Sequence, residues 1–234
     1  MALIFLSDVH LRRDRPERGR RLAALMETLG QGDRVVVVGD LCDFWFASRE
    51  AKTIHPHCPG LRELAAFRAR GGHLDLLPGN HDGWLGPFYQ EVLGVGYAGQ
   101  SLDMTVGGVR FRAIHGHEIG ARTAWKGVME ARWFLRAFRA LPGPLARMMD
   151  SLLDSTNRVH RDATNVKHKA IYRAAADRLR LEVDVCVFGH IHLTHDDQGS
   201  EPRVIVLGGW HDRASYLRVS ETGKSVLVVV EDSV

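Results

Sequence analysis

The chain has 234 residues, of which 45% are hydrophobic and 25% are charged. This length excludes a large multidomain assembly and suffices for one domain with a sizeable core. The net charge of +3 is mild, so it permits an anionic substrate or lipid surface without requiring nucleic acid. Thirteen histidines against three cysteines favour metal chemistry over a disulfide scaffold, and the widely separated cysteines predict a reduced, cytoplasmic protein.

Short runs of Val, Leu and Ile predict strands that alternate with helices. Helical apolar spacing at residues 20–29 and 62–70 is stopped in each case by glycines. The expected strands are residues 3–7, 34–38, 73–77, 110–114, 183–188, 204–207, 217–219 and 225–230. The last two are expected to form a hairpin through Thr222-Gly223. Fully apolar strands are typical of sheets covered on both faces, so we predict an α/β fold with two packed sheets or one large mixed sheet.

No membrane-spanning segment is expected in this sequence. No apolar run reaches the roughly 18–20 residues that a transmembrane helix needs. The N-terminal apolar run lacks a basic region before it and ends at Asp8, so we interpret it as a buried strand rather than a signal peptide.

Residues 121–181 break the alternation, because their composition is helical throughout. Pro142-Gly143-Pro144 divides the segment into two predicted helices. Arg132, Arg136 and Arg139 recur at helical spacing and form a basic stripe. Within a single domain of residues 1–234, we therefore predict a helical insertion that projects near the functional site.

Five of the predicted strands are each followed by a short motif of polar residues. The motifs are Asp8-x-His10, Gly39-Asp40-x-x-Asp43, Gly79-Asn80-His81-Asp82, His115-Gly116-His117 and Gly189-His190-x-His192. Residues two apart in an extended chain point the same way, so two of these motifs can each serve one metal centre. Carboxylate, amide and imidazole ligands suit Mn²⁺, Fe or Zn. Seven such groups exceed the needs of one ion, which predicts a two-metal site suited to in-line attack on a phosphate ester.

This ordered set resembles the calcineurin-like metallophosphoesterases over almost the whole chain, which implies a β-sandwich flanked by helices. The resemblance implies these metal ligands: Asp8, His10 and His192 for one ion, Asn80, His115 and His190 for the second, with Asp40 bridging. The two divalent ions, most simply Mn²⁺, would activate water. His81 would bind the phosphoryl oxygens and protonate the leaving group, while Asp43 would orient His81.

Within this family the sequence is most similar to the UDP-2,3-diacylglucosamine pyrophosphatases of lipid A synthesis. The similarity rests on Ser7-Asp8-Val-His10-Leu11, Gly39-Asp40-Leu-Cys-Asp43-Phe-Trp45, the helical insertion, and Leu207-Gly-Gly-Trp210-His211. It implies hydrolysis of a nucleotide-activated glycolipid to UMP and a diacylglucosamine 1-phosphate, with peripheral contact to the inner membrane. The insertion would form a lid for the acyl chains, and Trp125 on it would bind substrate together with Asn80 and His81.

Two positions depart from that smaller family, which carries Arg where this chain has His81 and often Glu where it has Asp43. A metallophosphoesterase acting on another phosphodiester, a nucleotide or a phosphomonoester is therefore the alternative, and a non-catalytic interaction module is a third class. A nucleic-acid enzyme is not expected, because Arg12 and the arginines around Arg18 are interpreted as a solvated loop and helix start. His168 could contact a phosphate, although a solvated face is the preferred interpretation, and His117 is interpreted as a hydrogen-bonding support.

Overall fold

Two five-stranded sheets pack against each other in this computed structural model, which describes residues 1–12, 15–43, 58–119, 137, 140–142, 144–145, 148–149, 161–211 and 213–230. The helices are α1 (Pro16–Glu27), α2 (Pro59–Ala69), α3 (Gly86–Leu93) and α4 (Arg161–Asp177). The strands are β1 (Leu3–Leu6), β2 (Arg34–Val38), β3 (His73–Leu77), β4 (Ser101–Val106), β5 (Val109–Ile114), β6 (Val185–Phe188), β7 (His195–Asp197), β8 (Arg203–Val206), β9 (Ala214–Val219) and β10 (Ser225–Val230).

Both sheets are mixed: antiparallel strands flank the parallel ones at one edge of the first sheet and at both edges of the second. The first has the order β10-β9-β1-β2-β3, in which β1, β2 and β3 run parallel. The second has the order β4-β5-β6-β8-β7, in which β5, β6 and β8 run parallel. Parallel strands end at the same edge of a sheet, so each sheet presents a row of strand-end loops in which polar groups can gather.

The central strands of both sheets are apolar on both faces, and each face is covered by a helix layer or by the other sheet. Phe5 of the first sheet stacks on Phe111 of the second, with ring centroids 6.0 Å apart, in the core between the sheets. Helices α1, α2 and α3 pack on the outer face of the first sheet. Tyr172 of α4 stacks on Phe188 at 4.4 Å on the outer face of the second sheet. These layers explain why the central strands are continuous hydrophobic runs rather than alternating ones.

The predicted α/β class and all eight predicted strands are confirmed, including the hairpin of β9 and β10. Strands β4 and β7 and helix α3 were not predicted. Along β4, exposed and half-buried residues alternate, and β7 has only three residues, so neither carries the apolar run that marks the other strands. Helix α1 begins at Pro16, earlier than predicted, because proline fits the first turn of a helix.

The predicted lid at residues 121–181 lies largely outside the described residues, and it stays a prediction. Trp125, Trp45 and the basic stripe of Arg132, Arg136 and Arg139 are all outside the part of the chain that the structure describes. Helix α4 covers the C-terminal part of the segment. No helix among the described residues is both long and apolar enough to cross a membrane.

Phe111→Ala tests the core between the sheets. The side chain is fully buried against Phe5, so we expect the free energy of unfolding to fall by about 3–5 kcal/mol. Chemical denaturation measures this value. Val226→Ala is the control, because Val226 is 51% exposed and its truncation should change the value by no more than about 0.5 kcal/mol. A loss below about 1 kcal/mol in Phe111→Ala would contradict this packing.

Candidate dinuclear metal centre

The backbone at the strand ends adopts an uncommon conformation. Asp8, His10, Asp40 and His190 have φ angles of 52°, 49°, 53° and 68°, and they are the only non-glycine residues with positive φ in the described ranges. This left-handed region costs roughly 1–3 kcal/mol for such a residue and persists only where the surroundings hold it. All four residues belong to the predicted ligand set. The strain is therefore concentrated at the loops that carry the site.

Asp8, His10 and His192 form the first group of candidate ligands. The Asp8 Oδ2 atom accepts hydrogen bonds from the Ser7 hydroxyl at 2.5 Å and the His190 amide at 2.8 Å. Its Oδ1 atom is buried and has no hydrogen-bond donor among the described residues. The Nε2 atoms of His10 and His192 lie 3.8 and 3.6 Å from Oδ1 and 3.2 Å from each other. Three lone-pair atoms therefore meet around one point, as ligands of one cation do.

Asp40, His115 and His190 form the second group, and Asn80 adjoins it. The His115 Nδ1–H donates to the Val38 carbonyl at 2.8 Å, which leaves its Nε2 to face the site. Nε2 lies 3.4 Å from Asp40 Oδ2 and 3.2 Å from Asn80 Oδ1. A backbone carbonyl that fixes the ring of a histidine in this way is the usual support of a metal ligand.

Asp40 lies between the two groups. Its Oδ2 atom is 3.9 Å from Nε2 of His10 in the first group and 3.4 Å from Nε2 of His115 in the second. Its Oδ1 atom accepts the His81 amide at 2.8 Å. Burial alone would raise the pKa of Asp40, but the charges of His115 and His81 lower it, so the carboxylate is held ionised. The donor set therefore fits two divalent cations that share the Asp40 carboxylate.

Asp43 links the first group to His81. Its Oδ1 atom lies 2.6 Å from His81 Nδ1 and 3.2 Å from His10 Nδ1, so one oxygen accepts from both rings. Its Oδ2 atom accepts from Arg12 Nη1 at 3.2 Å. Burial would raise the pKa of Asp43, but His10 and His81 hold it well below its usual value. The predicted partnership of Asp43 with His81 is present in the geometry, and the His81 side chain keeps 18% of its surface exposed.

Comparison with known proteins decides the family. Residues 1–193 match the sequence profile of the calcineurin-like phosphoesterases. The chain belongs to this family. Its relatives include proteins named UDP-2,3-diacylglucosamine hydrolase from Aeromonas hydrophila, 25% identical over 93% of this chain and 94% of the relative, and from Porphyromonas gingivalis, 26% identical over 92% of each. The protein is a metal-dependent phosphoester hydrolase.

Similar solved structures include Vps29 from Entamoeba histolytica complexed with Zn²⁺, at 14% identity and a TM-score of 0.49 over 100% of this chain and 95% of that one. An archaeal phosphodiesterase has 14% identity and a TM-score of 0.48 over 98% of this chain and 100% of that one.

Asp82 holds the two loops of this phosphoesterase centre together, a role that the sequence analysis did not assign. Its Oδ1 atom accepts the amides of Asp40 at 3.2 Å and Gly79 at 2.9 Å. Its Oδ2 atom accepts the Leu41 amide and the Tyr89 hydroxyl, both at 2.8 Å. One buried carboxylate therefore ties the loop after β2 to the loop after β3, and it sets the spacing between the ligands on them.

Three further histidines border the phosphoesterase site. The His211 ring lies 4.4 Å from the His192 ring, and His117 lies 5.3 Å from His115. His168 on α4 is half-buried and lies 5.8 Å from His190, a placement that fits the expected contact with a phosphate better than a solvated face. The helical repeat of α4 could have suggested this placement, because His168 and the buried Tyr172 are four residues apart on one face.

The interpretation of the N-terminal arginines as solvated was wrong for Arg12 and Arg18. Both side chains are buried. Arg18 Nη1 donates to the His10 carbonyl at 3.0 Å, and Arg12 binds Asp43. Arg21 Nη1 reaches the Trp210 carbonyl at 3.3 Å. These arginines therefore hydrogen-bond to the loops that carry the site, which is a structural role and not that of a surface for nucleic acid.

Gly79→Ala tests how closely the loops must approach. A Cβ atom at Gly79 would lie 2.0 Å from Asp40 Oδ1, so the Asp40 carboxylate must move. We expect wild-type protein to bind about two Mn²⁺ per chain, and Gly79→Ala to bind Mn²⁺ about 10–100-fold more weakly in calorimetric titration. Gly30→Ala is the matched control, because nothing lies within 4 Å of a Cβ atom there. Equal Mn²⁺ binding by a folded Gly79→Ala variant and the control would refute the proposed position of Asp40.

Proposed function

We propose that this phosphoesterase hydrolyses the pyrophosphate of UDP-2,3-diacylglucosamine to UMP and a diacylglucosamine 1-phosphate. The observation that carries the proposal is similarity along nearly the whole chain to proteins named UDP-2,3-diacylglucosamine hydrolase, for example 25% identity over 97% of this chain to the Vibrio cholerae protein. The clustering of the seven predicted ligands at one edge of the sandwich supports a phosphate-ester substrate.

The proposed metal ligands are those of the two groups, with Mn²⁺ as the proposed ion. Asp8, His10 and His192 would hold one ion, Asn80, His115 and His190 the other, and Asp40 both. When bound, two such ions lower the pKa of water and neutralise charge on phosphoryl oxygens. The chain contributes orientation, since His115 and Asp8 are each fixed by a second hydrogen bond.

His81 is the proposed group that touches the substrate phosphate. Asp43 binds its Nδ1, so Nε2 is the ring nitrogen that is directed away from the loop scaffold. Burial alone would lower the pKa of His81, but the charges of Asp40 and Asp43 raise it. The two aspartates therefore stabilise the protonated ring. A protonated imidazole here can bind a phosphoryl oxygen and pass a proton to the leaving phosphate.

The acyl chains require an apolar surface beside the site, for which we propose the segment at residues 121–181. Helix α4, the C-terminal part of this segment, contacts the centre, because His168 lies against His190. Leu145 and Met148 are exposed, as a surface for acyl chains or a membrane interface would be. Trp125 on the same segment is a proposed contact of the substrate. A diacyl substrate resides in a membrane, so we propose peripheral binding at the inner-membrane surface.

The alternative function is hydrolysis of a different phosphodiester, and the His81–Asp43 pair favours it. The pyrophosphatases that this sequence resembles carry Arg at the position of His81. An arginine is a fixed cation, whereas an imidazole held by a carboxylate can also transfer a proton. Arginine and histidine at this position suit different leaving groups. A substrate assay therefore distinguishes the two functions, whereas the metal ligands are common to both.

Release of UMP is the direct test of the substrate. Mn²⁺-loaded protein incubated with UDP-2,3-diacylglucosamine in mixed micelles should yield UMP and the lipid monophosphate, measured by chromatography. Asp40→Asn and His115→Ala should reduce the rate by more than about 100-fold, because each removes a ligand atom from the centre. Turnover of bis-p-nitrophenyl phosphate without any UMP release would favour the alternative function.

His81→Gln tests the proton-donor role. The variant should lose about 100-fold on a dialkyl phosphodiester, whose alkoxide leaving group needs a proton, but less than about tenfold on bis-p-nitrophenyl phosphate, whose weakly basic leaving group does not. His73→Gln is the matched control, since His73 is exposed at the start of β3. Equal losses on both substrates would mean that His81 only binds the phosphate.

A further inference from the structure

Arg12 is a buried arginine beside the catalytic centre that the proposed chemistry does not use. It is 7% exposed, and its partner Asp43 is 5% exposed. The two residues face each other because their loops pair: the Leu11 amide donates to the Leu41 carbonyl at 2.8 Å, and the Asp43 amide donates to the Leu11 carbonyl at 3.2 Å. The backbone therefore presents a guanidinium from the loop after β1 to the carboxylate from the loop after β2.

A single oxygen of the Asp43 carboxylate accepts hydrogen bonds from two histidine rings. Its Oδ1 atom accepts from His10 Nδ1 at 3.2 Å and from His81 Nδ1 at 2.6 Å, while Oδ2 accepts from Arg12 Nη1 at 3.2 Å. One oxygen serves both rings only if the carboxylate does not rotate about its χ2 bond, a torsion with a broad energy well. Arg12 is the described side chain whose hydrogen bond to Oδ2 opposes this rotation, and a planar guanidinium suits that task.

We propose that Arg12 is a positioning residue for hydrolysis at this centre: it fixes the Asp43 carboxylate so that one oxygen orients His10 and His81 together. His10 belongs to the first ligand group, and His81 is the proposed contact of the substrate phosphate. Arg12 thereby couples the placement of a metal ligand to the placement of the proton donor. The inference rests on the proposed function for the catalytic role of His81, but the orientation of the two rings is measurable without substrate.

A double-mutant cycle separates this role from simple packing. Arg12→Gln should lower kcat for UMP release about 10–100-fold, with KM changed by no more than about twofold. Arg12→Lys should recover part of the loss, because lysine keeps the charge but lacks the planar guanidinium. In an Asp43→Asn background, Arg12→Gln should cost less than about twofold more, because the carboxylate through which it acts is gone. Arg20→Gln, at an exposed site on α1, is the matched control and should leave kcat unchanged.

The second readout is the tautomer of each ring. Zinc-loaded full-length protein labelled with ¹⁵N-histidine should show protonated Nδ1 atoms for His10 and His81, assigned with His81→Gln. Arg12→Gln should shift or broaden both signals, and Arg20→Gln should shift neither. Unchanged ring signals in Arg12→Gln, or an equal loss of kcat on adding Arg12→Gln to the wild-type protein and to the Asp43→Asn variant, would overturn the proposal.

The two readouts separate the inference from the proposed function. A protein that releases no UMP but shows ring signals dependent on Arg12 contradicts the proposed substrate and supports the positioning role. If Arg12→Gln does not fold, Arg12→Lys takes its place in the cycle and in the spectra. A lysine variant with wild-type kcat and wild-type ring signals would then overturn the need for the guanidinium.

Discussion

The buried carboxylates of Asp8 and Asp40 impose the main constraint on this fold. An ionised carboxylate is costly to bury unless hydrogen bonds and opposite charges compensate for the lost water. Each has one oxygen bonded to the protein, since Asp8 Oδ2 accepts from Ser7 and His190, and Asp40 Oδ1 accepts from the His81 amide. The other oxygen of each faces imidazole nitrogens. Divalent cations held by Asp8, Asp40 and these imidazoles would compensate the buried charge, and the surrounding loops bring the candidate ligands together.

The rest of the sandwich serves to hold that arrangement. Left-handed backbone at Asp8, His10, Asp40 and His190 would relax if the loops were free, so the strands that these loops follow must be rigid. The core between the sheets provides this rigidity from one side. On the other, the fully buried Trp210 donates its amide to the Asp8 carbonyl and its indole N–H to the Ser215 carbonyl, which ties the β8–β9 connection to the loop after β1. Ligand geometry is thus bound to packing in both sheets.

The strands and the ligand motifs could be predicted from the sequence because both are local signals. An apolar run such as β2 followed by Gly39-Asp40 shows its strand and its polar end within a few residues. The roles of Arg12 and Asp82 could not be predicted in the same way. Arg12 meets its carboxylate 31 residues along the chain, and Asp82 meets the Leu41 amide 41 residues away. From composition alone, an arginine-rich stretch is expected to be solvated. Only the folded loops show that two of its arginines are buried.

The departure from the pyrophosphatases at His81 can be understood as one electrostatic unit with Arg12 and Asp43. Asp43 carries a single negative charge that already binds one permanent cation, the Arg12 guanidinium. A second permanent cation at position 81 would lie near the first and compete for the same carboxylate, which is unfavourable in a buried site. A histidine lessens this conflict because its charge is not permanent: Nδ1–H can bind Asp43 whether or not Nε2 carries a proton. The Arg12 guanidinium bound to Asp43 therefore favours a histidine over a second arginine at position 81.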